Sequence, residues 1–311
     1  MAPFAPESPS AAAPTRPLGV ADYLPLAKPG ITLLICLVAV AGFLLADPRS
    51  VDLERLAILV AAGGAASAGA AMLNHYLDRD IDRRMNRTRG RPLADERVVS
   101  GSTVAVVGLV LLGVGVGSAT VFLNPLTGSS IFLGGLTYVV VYTLWLKRRS
   151  NWNIVIGGFA GSAPALAGSA AAVGAWTPGV LAFALLVFLW TPPHFWSLAL
   201  LLRKDYARAN LPMLPRMEDV SYSGKVVVAS AALLVPAALL IGWTGAVTWP
   251  VLVTLVVLGG AFVAVTDPLW RNATAKNARR GFVFSGPYLL LVVLGIVANV
   301  ALVRLGVPGA F

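Results

Sequence analysis

Between residues 74 and 93 the chain reads NHYLDRDIDRRMNRTRGRPL, placing three aspartates and six arginines directly after a run of Ala, Gly, Leu and Val. Asn74, Asp78 and Asp82 stand at i, i+4 and i+8, so on a helix they drift only about 40° per step and line one face. A solvated helix end would alternate its charges, as Asp80 does with Arg84 four residues on. Instead Asp78 stacks on Asp82 and Arg79 on Arg83, and the carboxylates fall near the negative end of a helix, where each loses a few tenths of a kcal/mol. An arrangement that costs stability points to a bound cation. Two carboxylates and a carboxamide are hard oxygen ligands that suit Mg²⁺, which binds through one or two protein carboxylates plus substrate phosphates. Arg87 and Arg91 can grip phosphate oxygens bidentately, while Gly90 permits a tight turn and Pro92 stiffens the exit. The stretch reads as a Mg²⁺-diphosphate site. The competing reading is an interfacial charge cluster that attracts anionic lipid headgroups.

A second cluster lies in FLWTPPHFWSLALLLRKDYARANLPMLP, residues 188 to 215. Pro192 and Pro193 are expected to break or kink a helix here, freeing carbonyls that only a protein-lined or wet cavity tolerates. His194, Leu198, Leu201 and Asp205 then follow at i, i+4, i+7 and i+11, one face running from an intramembrane histidine to an acid at the membrane edge. The alternative is a neutral histidine bonded to a freed carbonyl, with Phe195 and Trp196 as packing or lipid-facing aromatics. YVVVYTLWLKRRSNWN contributes Tyr138, Tyr142 and Trp145 beside Lys147 and Arg148. An aromatic belt with basic anchors explains that pattern, and a phosphate ligand at Lys147 fits it equally. GGFAGSAPALAGSA, with Pro164, allows close helix packing or leaves room for a flat ligand.

These residues need a scaffold, and composition says which. The chain is 57% hydrophobic and 12% charged, well above the roughly 45 to 50% apolar content of soluble domains. Crossing about 30 Å of hydrocarbon takes roughly 20 apolar residues. Nine stretches qualify, near 24–46, 56–77, 103–123, 129–146, 153–172, 178–201, 225–243, 248–266 and 282–303. We expect an all-α polytopic bundle of about nine transmembrane helices, one domain over 21–305, with a disordered tail at 1–20 and a short tail at 306–311. The tail has neither the Arg enrichment of a transit peptide nor the apolar core of a cleaved signal. Of 24 Lys and Arg, seven fall between spans 2 and 3, three between 4 and 5, five between 6 and 7 and four between 8 and 9. The loops between 3 and 4, 5 and 6, and 7 and 8 carry none. The positive-inside rule therefore puts the N-terminus in the cytoplasm and the C-terminus outside. The net charge of +10 is topology plus an anion site, with no argument for nucleic acid. Cys36 alone offers neither a disulfide nor thiolate metal chemistry.

Asn-x3-Asp-x3-Asp at a span-2 exit, in nine spans with a second polar loop after span 6, resembles the intramembrane aromatic prenyltransferases that include 4-hydroxybenzoate polyprenyltransferase. DRDID with MNRTRGRPL, YTLWLKR, TPPHFWSLAL and KDYARANLPMLP narrow the resemblance to the protohaem IX farnesyltransferases, over roughly residues 20 to 303. That resemblance implies transfer of farnesyl from farnesyl diphosphate to the 2-vinyl group of haem B, giving haem O and diphosphate. It assigns metal and catalysis to Asn74, Asp78 and Asp82, and diphosphate binding to Arg87, Arg91, Lys147 and Lys204. His194 becomes the family histidine, and Asp205 with Lys204 and Tyr142 a second polar cluster. It further implies a bacterial inner-membrane, multi-pass enzyme, with contacts to other haem A synthesis or oxidase assembly proteins. Two departures stand out: Ala209 replaces the second acid of a superfamily Asp-x3-Asp pair begun by Asp205, and Asn210 stands where glycine is expected. His194 as iron ligand, propionate partner or proton handler remains open. Prenylation of a phenolic or quinone precursor on the same scaffold is the rival within enzymes, and a secondary transporter with broken helices is the rival outside them.

Overall fold

A computed structural model describes residues 24–94, 101–213 and 219–310. The expected tail at 1–20 lies outside them, as do Arg97 and Arg216 of the basic loops. Among the described residues nine helical segments are long and apolar enough to cross a membrane: Leu24–Ala46, Leu53–Arg84, Gly101–Phe122, Pro125–Arg148, Asn153–Val173, Pro178–Leu201, Val220–Trp243, Trp249–Arg271 and Ala275–Arg304. We number them spans 1 to 9. The chain is an all-helical membrane bundle.

Spans 5 and 6 form its centre, with 61% of their most apolar window buried against 22% for spans 3 and 4. The central core joins Phe183, Leu186 and Trp190 of span 6 to Leu234 and Ile241 of span 7, Phe262 of span 8 and Tyr288 and Val292 of span 9. Outward-facing Leu109, Val121 and Val257 remain exposed, as lipid contact requires. Where two spans must nearly touch, small residues allow it. A Cβ on Gly42 of span 1 would collide with the Ala165 backbone of span 5, and one on Gly168 with Ala39 and Phe43.

Three local features set up the site. Span 2 is 32 residues long, about 48 Å at 1.5 Å per residue, so it carries its last two turns past the apolar run, as expected. Asp52 caps its start by accepting from Arg55 N at 3.0 Å. Span 4 winds as a π-helix over Thr137–Trp145. Its wider i→i+5 turn puts residues four to five apart on one face, which aligns Tyr138, Tyr142 and Thr143, and Lys147 follows in a 3₁₀ turn over Leu146–Arg148. In span 6 the helix runs from Pro178 to Leu201 through Pro192 and Pro193, so of the break or kink expected there the break is not made. The face predicted from His194 to Asp205 is instead interrupted at Leu202, which caps one helix and precedes the short helix Arg203–Arg208.

Candidate functional site

Asn74, Asp78 and Asp82 share one face of span 2 and are each at most 3% exposed. Their partners come from three other parts of the chain: span 4, the loop after span 2 and the start of span 1. Asn74 donates from Nδ2 to Asp78 Oδ2 at 2.7 Å and to Thr143 Oγ1 at 3.0 Å. Lys147 Nζ sits 2.5 Å from the same Asp78 Oδ2. Arg91 Nη1 contacts both Asp82 oxygens, at 3.0 and 2.8 Å. Lys28 Nζ donates to Asn74 Oδ1 at 2.6 Å and to the Tyr138 hydroxyl at 2.9 Å. The stacked carboxylates are therefore each paired with a cation, Asp78 with Lys147 of span 4 and Asp82 with Arg91 of the following loop. Asp78 Oδ1 is buried without a hydrogen-bond partner among the described residues.

Asp80 pairs differently from expectation. It receives two bonds from Arg148, at 2.7 and 2.8 Å, rather than one from Arg84, because span 4 ends beside it. Arg79 folds back onto Tyr76, donating to its carbonyl at 2.8 Å and covering its ring.

The loop after span 2 and the short helix after span 6 meet at the same place. Asp205 accepts from the Arg87 backbone N–H at 3.3 Å and from Arg208 at 3.1 Å. Burial pushes the neighbouring Tyr206 phenol upward, Tyr142 adds to this, and Arg87, Lys147 and Arg91 oppose it. Those cations thus lie within electrostatic reach of the second loop. Lys204 is exposed and makes no hydrogen bond or ion pair with the described residues, so it is not drawn into the cluster. Asn210 has φ +51°; it adopts the left-handed backbone for which glycine is expected, and Asn is among the few residues that tolerate it. Gly90 is outside that region, so its turn does not use glycine's special freedom.

A cavity of about 280 Å³ opens from this polar lip into the bundle. Lys28, Tyr138 and Tyr142 line it near the carboxylates, Gly157, Gly161 and Pro164 along span 5, and Trp190, His194 and Phe195 from span 6. Glycine is required at 157, where a Cβ would press on the Tyr142 ring. His194 Nδ1 is 2.6 Å from Ser285 Oγ, so its partner is a hydroxyl of span 9 and not a freed carbonyl. A larger cavity, about 490 Å³, lies at the other end of the bundle by Arg49, Thr177 and Thr248. Its lining includes neither Lys28, which bonds Asn74, nor His194.

Sequence reasoning overlooked Lys28, Thr143 and His75. Lys28 is a lone cation before Pro29 at the start of span 1, readable only as an anchor until its φ of +48° and its two bonds are seen. His75 is buried beside Asn74, and neither ring nitrogen has a hydrogen-bond partner among the described residues.

The UbiA prenyltransferase family model matches residues 34–303. The chain belongs to this family. Among its relatives, protoheme IX farnesyltransferase of Sulfurisphaera tokodaii is 40% identical over 281 residues, 89% of this chain and 92% of the relative. The enzyme of the same name from Metallosphaera sedula is 41% identical over 276 residues, 88% and 94% of the two chains. The fold is shared with a digeranylgeranylglyceryl phosphate synthase, at TM-score 0.74 and 15% identity over 90% of this chain and 98% of that one. It is shared too with a UbiA homolog from Archaeoglobus fulgidus bound to GPP and Mg²⁺, at TM-score 0.68 and 14% identity over 89% and 99%.

Proposed function

We infer that this UbiA-family chain transfers farnesyl from farnesyl diphosphate to the 2-vinyl group of haem B, forming haem O and releasing diphosphate. Protoheme IX farnesyltransferases at 40 and 41% identity support the chemistry. The observation that carries it to this molecule is the buried Asn74, Asp78 and Asp82 face, bonded through Asn74 to Lys28, which with Tyr138 and Tyr142 lines a cavity that reaches His194.

The donor set fits a divalent metal: two buried carboxylates, one with an unpartnered oxygen, and a carboxamide. We propose Mg²⁺, held by Asp78 and Asp82 with Asn74, in keeping with the Mg²⁺ and prenyl diphosphate of the A. fulgidus homolog. When bound, Mg²⁺ supplies a Lewis acid that draws charge from the leaving diphosphate. Lys28, Arg87, Arg91 and Lys147 outnumber the two carboxylates, so the lip is net positive, as an incoming diphosphate needs. Arg91 presents a planar fork suited to phosphate oxygens. The aliphatic and glycine-rich wall of span 5 receives the isoprenoid and keeps water from the allylic cation. Trp190 and Phe195 provide flat surfaces for a porphyrin.

Membrane embedding follows from the nine apolar spans. We place the site at the cytoplasmic face of a bacterial inner membrane, with the N-terminus inside and the C-terminus outside, on the clustering of basic residues in alternate loops. Contact with other haem A synthesis or oxidase assembly proteins belongs to the same reading. Mass spectrometry of haem extracted from membranes with and without the expressed chain tests the activity: haem O should appear only with it. Farnesylation of a quinone precursor, or no product, would overturn the assignment.

A further inference from the structure

Span 9 contributes a residue that neither motif included. Ser285 Oγ lies 2.5 Å from the Phe282 carbonyl, one helical turn back, and 2.6 Å from His194 Nδ1. A carbonyl oxygen only accepts, and a serine hydroxyl has one proton. The short contact to Phe282 uses that proton, so the second contact is made by His194 donating Nδ1–H to Ser285 Oγ. A neutral imidazole protonated at Nδ1 carries a lone pair at Nε2. The ring is otherwise enclosed. Trp190 stacks on it at 4.5 Å between centroids and 18° between planes, Phe282 lies 5.2 Å away, and Phe195 meets it edge-on at 5.0 Å. Trp190 is itself held by Nε1–H donation to the Ser285 carbonyl at 2.9 Å, so one residue fixes both the ring and its stacking partner. Nε2 forms no hydrogen bond with the described residues, and His194 borders the cavity.

We propose that Ser285 is a positioning residue that holds His194 as its Nδ1–H tautomer, so that Nε2 offers a lone pair to the iron of the porphyrin acceptor. A nitrogen without a proton cannot donate to a propionate, which removes that role for the neutral ring. Axial ligation, with the imidazole's other N–H anchored by an outer-shell oxygen, is the arrangement in which such a ring binds a metal best. The proposal rests on haem B being the acceptor.

The test uses the full chain in nanodiscs titrated with haem B, read by absorbance and by resonance Raman of the ferrous form. Wild type should show an iron–histidine stretch that His194→Ala abolishes. Ser285→Ala should weaken haem binding about tenfold and shift or broaden that stretch. Ser285→Thr, which keeps the hydroxyl, should restore both, while affinity for a farnesyl diphosphate analogue stays within about twofold throughout. A merely structural serine would change melting temperature and leave the stretch alone, and that result overturns the proposal. So does wild-type haem bound without a histidine signature, which would leave the acceptor assignment standing. Failure of wild type to bind haem at all would instead remove the acceptor assignment, and this proposal with it.

Discussion

Lys147 Nζ sits 2.5 Å from Asp78 Oδ2, while Oδ1 of the same carboxylate is buried with no hydrogen-bond partner among the described residues. One oxygen is neutralised by Lys147, and the proposed Mg²⁺ would take the other. Asp78→Asn replaces that pair with an amide that binds Mg²⁺ poorly. Turnover should fall at least about 100-fold, on the scale of losing a principal electrostatic stabiliser. Calorimetric titration with Mg²⁺ and a farnesyl diphosphate analogue should lose its metal-dependent component; a variant still binding in a Mg²⁺-dependent way would take Asp78 out of the metal site.

Arg91 meets both oxygens of Asp82 through one nitrogen, so Asp82 is held as well as opposed by Asp78. Asp82→Asn should abolish turnover and also lower the melting temperature modestly, because Arg91 loses its counter-charge in a partly buried place. Arg91→Lys keeps the charge and loses the fork. Its KM for farnesyl diphosphate should rise about tenfold, measured by initial rates, and an unchanged KM would remove Arg91 from the diphosphate site.

Lys28 reaches Asn74 and Tyr138 from the start of span 1, with a left-handed backbone that lysine rarely adopts. Lys28→Met should weaken binding of a diphosphate analogue by about 10- to 100-fold, the range of one charge-assisted hydrogen bond of roughly 1.5–3 kcal/mol. Stability should not fall, since a buried charge is removed. Analogue affinity and melting temperature, taken on the same preparation, decide it.

Gly157→Ala places a methyl group against the Tyr142 ring at the cavity wall. The cavity should narrow, and turnover with farnesyl diphosphate should drop several-fold while a shorter prenyl diphosphate is affected less. Parallel rates with C10 and C15 donors give the answer; equal losses would mean that span 5 does not contact the prenyl chain.

Asn210 carries φ +51° in the loop that follows Asp205. Asn210→Gly should be neutral or slightly stabilising, whereas Asn210→Val should cost about 1–2 kcal/mol, because a side chain at Cβ clashes in the left-handed region. Chemical denaturation in detergent, with haem O yield as control, separates the loop's conformation from the chemistry.

The nine spans were legible in the sequence because bilayer thickness imposes a length and an apolarity that no neighbour is needed to read. The Asn74, Asp78 and Asp82 face was legible for a similar reason: helical periodicity alone aligns residues four apart. The partner of each charge was not. Asp80 has Arg84 four residues on along its own helix, yet the end of span 4 brings Arg148 closer, and only packing of one span against another decides that competition. The same holds for Lys28, which belongs to the site because span 1 begins beside Asn74, and for the π-helical turn that gathers Tyr138 and Thr143. Pro192 and Pro193 suggested a break or kink, and the helix runs through them without a break. His194 could be named from the sequence, but its contact with Ser285, 91 residues away, could not: that distance exists only once spans 6 and 9 have packed.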